Sequence, residues 1–206
     1  LAIAGMEGPP DPAERVDALC ASMHRLAQFA PASVLCLTGP VGARDPEDAY
    51  AIVVDGLRRV AAAAREAGIR LGLEPTHASE SGASSFVSSI GEAIELLAEA
   101  ELDDVGVMVD SVHVWDTPSL EDDIARHGDR ITGLHVADKV EPGATSRLLP
   151  GEGMTRPDRV LELVLATGFD GYVDLEIFST PDAFWGLTAD EAARRAHRAL
   201  SALRST

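Results

Sequence analysis

Four short apolar runs in this chain each end in a residue that can ligate a metal or move a proton. RLGLE ends in Glu74, VGVMVD in Asp110, ITGLH in His135 and YVDLE in Glu176. Apolar runs of about four to eight residues, bounded by glycine, proline or polar clusters, read as buried strands. The polar ends are 36, 25 and 41 positions apart, each gap being enough for one helix and its two loops. A chain built this way delivers three carboxylates and an imidazole to one end of a sheet. His113 follows Asp110 by three residues, so the VGVMVDSVHVW stretch brings a second imidazole to the same end.

The rest of the chain repeats the pattern. LAIAG at the start reads as a strand already in progress, and no methionine precedes it. A helix is expected from about Glu14 to Phe29, with Val16, Leu19, Met23, Leu26 and Ala27 recurring on one face. SVLCLTG, from Ser33 to Gly39, reads as a buried strand. Asp45 followed by Pro46 is an N-cap with proline in the first turn, opening an alanine-rich helix that stops at Gly68. After IRLGLE comes HASESGASS, a loop or lid by its composition. Helices are expected from Ile90 to Ala100, from Thr117-Pro118 to Gly128, and from Pro157 to Thr167. GYVDLEIF reads as the last strand, and Thr188 with Glu191 as the capping box of the final helix.

Six strand–helix alternations without hairpin signals mean a parallel sheet flanked by helices, in one domain over residues 1–206. An open doubly wound sheet and a (β/α) barrel both satisfy that pattern. Open sheets gather their sites at one switch point, whereas barrels collect functional groups from the C-terminal ends of several strands. Four successive strands ending in ligand-type residues therefore favour the barrel. No G-x-G-x-x-G run follows an early strand, so dinucleotide binding has no support.

Composition narrows the function classes. The 206 residues carry 17 basic and 34 acidic side chains, a net charge of −17, which opposes a nucleic-acid binder. No apolar run reaches the ~18 residues of a membrane span, and no signal-peptide pattern opens the sequence shown. Cys20 and Cys36 have no motif spacing and read as reduced thiols, which suits a cytoplasmic protein.

The motifs GLEPTH, VDSVHVW, HVADK, RLLPGEG and DLEIFS, in that order between Arg70 and Ser179, resemble those of the xylose isomerase-like superfamily of TIM barrels. That superfamily includes sugar isomerases and epimerases, inosose isomerases and dehydratases, and endonuclease IV. The resemblance implies a TIM (β/α)8 barrel with six units visible and the first two missing from the N-terminus. It implies one divalent metal ion, Mn²⁺ foremost and otherwise Mg²⁺, Co²⁺ or Zn²⁺, on Glu74, Asp110, His135 and Glu176. It further implies substrate contacts from His77, His113 and Arg147. The implied reaction is isomerisation or epimerisation of a small sugar, keto-sugar or inosose through a metal-stabilised enediolate, with Glu74 and Glu176 moving the proton. Barrels of this kind are often homo-oligomers.

Blander roles compete for the same residues. His113 also suits a core histidine, Asp138 a helix cap or a partner of His135, and Glu152 a plain loop position. Lys139 suits either an anion contact or the surface. Trp115 and Trp185 suit a wall against a sugar face or core packing, and His24, His127 and His197 read as surface residues. Among functions, the alternatives are a dehydratase on the same site, an endonuclease-type phosphodiesterase, and a barrel that only binds. The phosphodiesterase reading lacks the additional histidines that three metals require.

Overall fold

A computed structural model describes residues 8–80 and 84–203. Five strands form one sheet: β1 (Val34–Cys36), β2 (Leu71–Leu73), β3 (Gly106–Asp110), β4 (Ile131–Val136) and β5 (Val173–Leu175). Every neighbouring pair is parallel, and the strand order equals the sequence order. Each new strand is laid on the same side of the last, with no reversal and hence no switch point. A sheet assembled this way curls, and here it forms a half-barrel. The strand expected at residues 1–5 lies outside the described residues.

The helices follow their capping signals. In α1 (Pro12–Leu26), Asp11 Oδ1 accepts from the amides of Ala13 and Glu14, and Pro12 occupies the first turn. That cap starts the helix two residues before the expected position, and the chain tightens to a 3₁₀ turn over Ala27–Phe29. Asp45 caps α2 (Pro46–Glu66), whose buried Leu57, Val60, Ala61 and Ala64 form one helical stripe. Gly68 ends it with φ +69°, a left-handed conformation that glycine adopts without a Cβ penalty. Then come α3 (Ile90–Glu99), capped by Ser89, α4 (Ser111–Val114), α5 (Leu120–His127), α6 (Pro157–Ala166) and α7 (Ala189–Leu203), where Thr188 Oγ1 accepts from the Glu191 amide. None of the described helices is long and apolar enough to cross a membrane.

Two elements differ from expectation. VGVMVDSVHVW is not strand throughout: Asp110 ends β3 and caps α4 by accepting from the Val112 amide at 3.1 Å. The final strand contracts from GYVDLEIF to three residues, Val173–Leu175.

Side-chain alternation divides the sheet into two layers. Leu71, Leu73, Val107, Val109, Leu134 and Val136 face the helices and form the centre of the core. The opposite set, two residues before each polar strand end, is Gly72, Met108, Gly133 and the exposed Asp174. A Cβ on Gly133 would sit 2.8 Å from Met108 Sδ, so this glycine leaves room for the thioether beneath the site, while a Cβ on Gly72 would lie 2.2 Å from Thr132 Oγ1. Gly106 is tighter, because a Cβ there would lie 2.1 Å from the Arg130 carbonyl oxygen. Backbone cannot retreat as a thioether can. Gly106→Ala is therefore expected to destabilise the fold by about 1–3 kcal/mol in urea unfolding, and Gly133→Ala by less.

Candidate metal and substrate site

The four polar strand ends meet as their spacing implies. Glu74 follows β2, Asp110 closes β3, His135 lies near the end of β4, and Glu176 follows β5. Asp110 and His135 are direct register partners. One ligand atom from each of the four lies within 4.8 Å of the others. His135 Nδ1 is 3.2 Å from Glu176 Oε2 and 3.7 Å from Glu74 Oε1.

Arg147 reaches this cluster from the loop after β4. Its Nη1 donates to Asp110 Oδ2 at 2.7 Å and to Glu176 Oε2 at 2.6 Å, while its guanidinium lies 4.9 Å from the Phe178 ring centre. Its Nη2 is 3.2 Å from His113 Nε2, and on the other side of that ring the His77 amide donates to Nδ1 at 3.2 Å. A neutral imidazole accepts at one nitrogen only, so this ring can accept from one of the two donors, whereas a doubly protonated ring could accept from neither. Burial, helped by the charge of Arg147, pulls His113 down to a pKa of about 3.

The carboxylates divide according to their surroundings. Burial first, then the charges of Asp110 and Glu176, push Glu74 well above the usual carboxylate range. Burial raises Asp110 to about 6, although Arg147 opposes the rise. Glu176 goes the other way: burial is outweighed by its hydrogen bond to His135 and the charge of Arg147, which hold it low. Burial likewise works against a charged His135, but the bond to Glu176 and its charge keep this imidazole above its ordinary value.

Glu74 Oε1 is buried and has no hydrogen-bond partner. Three carboxylates and one imidazole, with one oxygen unpartnered, fit a hard or borderline divalent cation better than a soft one. This is the only such group of three or more acidic, histidine or cysteine side chains among the described residues.

Other expected positions fall differently. The His77 ring turns away: its Nε2 is 3.1 Å from Asp116 Oδ1 and its Nδ1 2.7 Å from Ser79 Oγ, and only its amide reaches His113. It borders a neighbouring cleft with Ser88 and Thr117 and does not line the cavity over the cluster. Asp138 neither caps a helix nor touches His135, and holds the RLLPGEG loop instead. Trp185 lines the cavity with Phe178, Leu35 and Leu37, whereas Trp115 does not.

Glu80 and Lys139 complete the lining as an ion pair joining the loop after β2 to the loop after β4. Burial opposes the charge of Glu80, but the bond from Lys139 holds its pKa below the ordinary value. Glu80 went unrecognised in the sequence because it sits in a serine-rich loop with no periodicity. Its only signal is proximity, six residues after Glu74.

With the geometry in place, comparison with known proteins defines the class. The profile of the family described as xylose isomerase-like TIM barrel matches residues 3–205, and the chain belongs to that family. A protein of Sinorhizobium meliloti 1021 superposes with a TM-score of 0.85 at 27% identity, over 95% of this chain and 74% of that one. The IolI protein with a zinc atom gives 0.77 at 22%, over 95% and 72%. The 3-keto-D-glucoside 4-epimerase of E. coli gives 0.74 at 18%, over 94% and 72%. No curated protein matches.

Two outcomes follow from this geometry. Purified protein is expected to take up one divalent ion per chain by elemental mass spectrometry. Asp110→Asn should weaken uptake by more than the roughly tenfold typical of losing an outer-shell partner. The second concerns pH. His113 is held near 3 in the folded chain against 6.5 as its ordinary value, so between these values the unfolded chain binds more protons. The stability conferred by the neutral ring is complete above about pH 6.5 and is lost as pH falls toward 3. The urea midpoint of His113→Gln should therefore fall less than that of wild type between pH 7 and pH 5.

Proposed function

We propose that this protein is a divalent-metal-dependent isomerase or epimerase of a small sugar, keto-sugar or inosose. The observation that carries the reading is the convergence of Glu74 and Glu176 on one ring nitrogen, His135 Nδ1, in a four-residue cluster whose two glutamates line a cavity. The ion would be held by Glu74, Asp110, His135 and Glu176, with Mn²⁺ our first assignment. When bound, it supplies polarisation of a substrate carbonyl, which acidifies the adjacent C–H.

The chain's own residues do the rest. One of the two glutamates takes the proton from the α-carbon and the other returns it from the opposite side, a division of labour that gives epimerisation or aldose–ketose exchange. Arg147 and neutral His113 both line the cavity, and each would meet a substrate oxygen by giving up part of the hydrogen bonding that ties them to each other and to the carboxylates. Phe178 and Trp185 give the cavity an apolar wall suited to the C–H face of a sugar. Two structural neighbours, the E. coli 4-epimerase and a D-psicose 3-epimerase of Clostridium cellulolyticum H10 solved with D-tagatose, are consistent with this substrate class.

Charge favours an uncharged substrate. Glu74, Asp110, Glu176 and Glu80 face Arg147 and Lys139, and both cations are already paired with carboxylates. With neutral imidazoles, one divalent ion balances the remainder. A phosphate ester would add unbalanced negative charge, so the free sugar is expected to bind better than its ester. Free Cys20 and Cys36 agree with a reducing, cytoplasmic setting.

A dehydratase is the second reading. It requires a proton for a departing hydroxyl, and the buried ammonium of Lys139 lies in the cavity lining to provide one. Product mass separates the two, since dehydration removes one water and isomerisation removes none. For the primary reading, Glu74→Gln and Glu176→Gln should each abolish exchange of the substrate α-hydrogen with solvent deuterium, followed by NMR. Exchange at the wild-type rate in either variant would remove that glutamate from the mechanism.

A further inference from the structure

The RLLPGEG loop owes its position to one buried carboxylate. Asp138, only 1% exposed, is the second residue after the end of β4. Its Oδ1 accepts from the Lys139 amide at 3.0 Å, the Thr155 amide at 2.8 Å and Thr155 Oγ1 at 2.9 Å. Its Oδ2 accepts from the Gly151 amide at 3.1 Å and the Gly153 amide at 2.9 Å. The Asp138 backbone also pairs with Leu148 in both directions, at 2.9 and 2.8 Å. Leu148 is the residue next to Arg147.

All five groups around the carboxylate are donors, which explains why an aspartate stands here. An asparagine would turn its own N–H groups toward at least one of them and leave buried donors unmatched. The loop must also come very close. A Cβ on Gly153 would lie 2.3 Å from the Lys139 carbonyl oxygen and 2.6 Å from Asp138 Oδ1. This is what the second glycine of PGEG provides.

We infer that Asp138 is a positioning residue for Arg147: by gathering the amides of residues 151–155, it fixes the loop that holds the guanidinium between Asp110 and Glu176. The effect of Arg147 on a substrate rests on the function proposed above, whereas its placement by Asp138 does not. The test therefore reads the position of Arg147 directly.

Phenylglyoxal labelling of the full chain, with peptide mass spectrometry, gives a separate rate for each arginine. Arg147 is 7% exposed and should react slowly in wild type. In Asp138→Asn its rate should rise about tenfold or more, because protection depends on local opening of the loop. Arg130, which binds the carbonyls of Leu102 and Val105 at the opposite end of the sheet, should keep its wild-type rate. An unchanged Arg147 rate overturns the inference, and so does a parallel rise at Arg130, which would mean general loosening.

Thr155→Val removes the hydroxyl's contacts with Asp138 Oδ1 and the Ala137 carbonyl, keeps the four amide bonds to the carboxylate, and serves if the asparagine variant does not fold. It should raise the Arg147 rate by about threefold, and an unchanged rate there counts against the inference equally. If the sugar-isomerase reading fails, no proton exchange is seen in wild type, yet the labelling result stands. Where exchange is measurable, Asp138→Asn combined with Arg147→Gln should be no slower than Arg147→Gln alone, as expected of residues acting in series.

Discussion

Mutual repulsion among Glu74, Asp110 and Glu176 is the constraint that the rest of the structure answers. Two unit charges about 4 Å apart at an effective dielectric constant near 20 interact by about 4 kcal/mol. Three such pairs approach the whole net stability of a domain, roughly 5–15 kcal/mol. The molecule relieves this with His135 beside Glu176, with Arg147 between Asp110 and Glu176, and by favouring a protonated Glu74. Relief is unequal, and Glu74 Oε1 is left without a hydrogen-bond partner. Three carboxylates and an imidazole at successive strand ends, with one carboxylate unsatisfied, form a group able to hold a further cation.

The same constraint explains the layers below. Side chains that point into the curl alternate with those that point to the helices, so a ligand at a strand end dictates which residues share its face. Two positions earlier these are Gly72, Met108, Gly133 and Asp174. Gly133 leaves room for the Met108 thioether and Gly72 for the Thr132 hydroxyl, so the strands can close toward one another enough for the polar ends to converge. Bulkier residues would spread the strands and with them the carboxylates. Packing under the site and distances within it are thus one problem.

The strands and the four-residue cluster were legible because both follow local rules. An apolar run of fixed period ending in a charged residue can be read without knowing what lies across the sheet. What was not legible depends on partners far away in sequence. The family resemblance implied a substrate contact from His77, whose ring is here bonded to Asp116 and Ser79. Glu80 is identified only by Lys139, 59 positions later, and Asp138 only by the loop that folds back on it. The helical turn at Ser111–Val114 was hidden because β-branched residues favour a strand, and Asp110 overrides them with a cap.

Asp110 also shows how few atoms join the elements of the site. Its Oδ1 accepts from the Val112 amide and ends β3, and its Oδ2 takes the Arg147 guanidinium. The turn it initiates sets the backbone from which His113 projects, and Arg147 lies against that same ring. A single carboxylate therefore fixes one imidazole through the backbone and one guanidinium through space, while belonging to the cluster itself. Any cation entering that cluster must compete with Arg147 for Asp110 and Glu176. The guanidinium need not leave the cavity, because the Phe178 face and the neutral His113 ring remain beside it. The arrangement leaves a positive group already at the cavity wall.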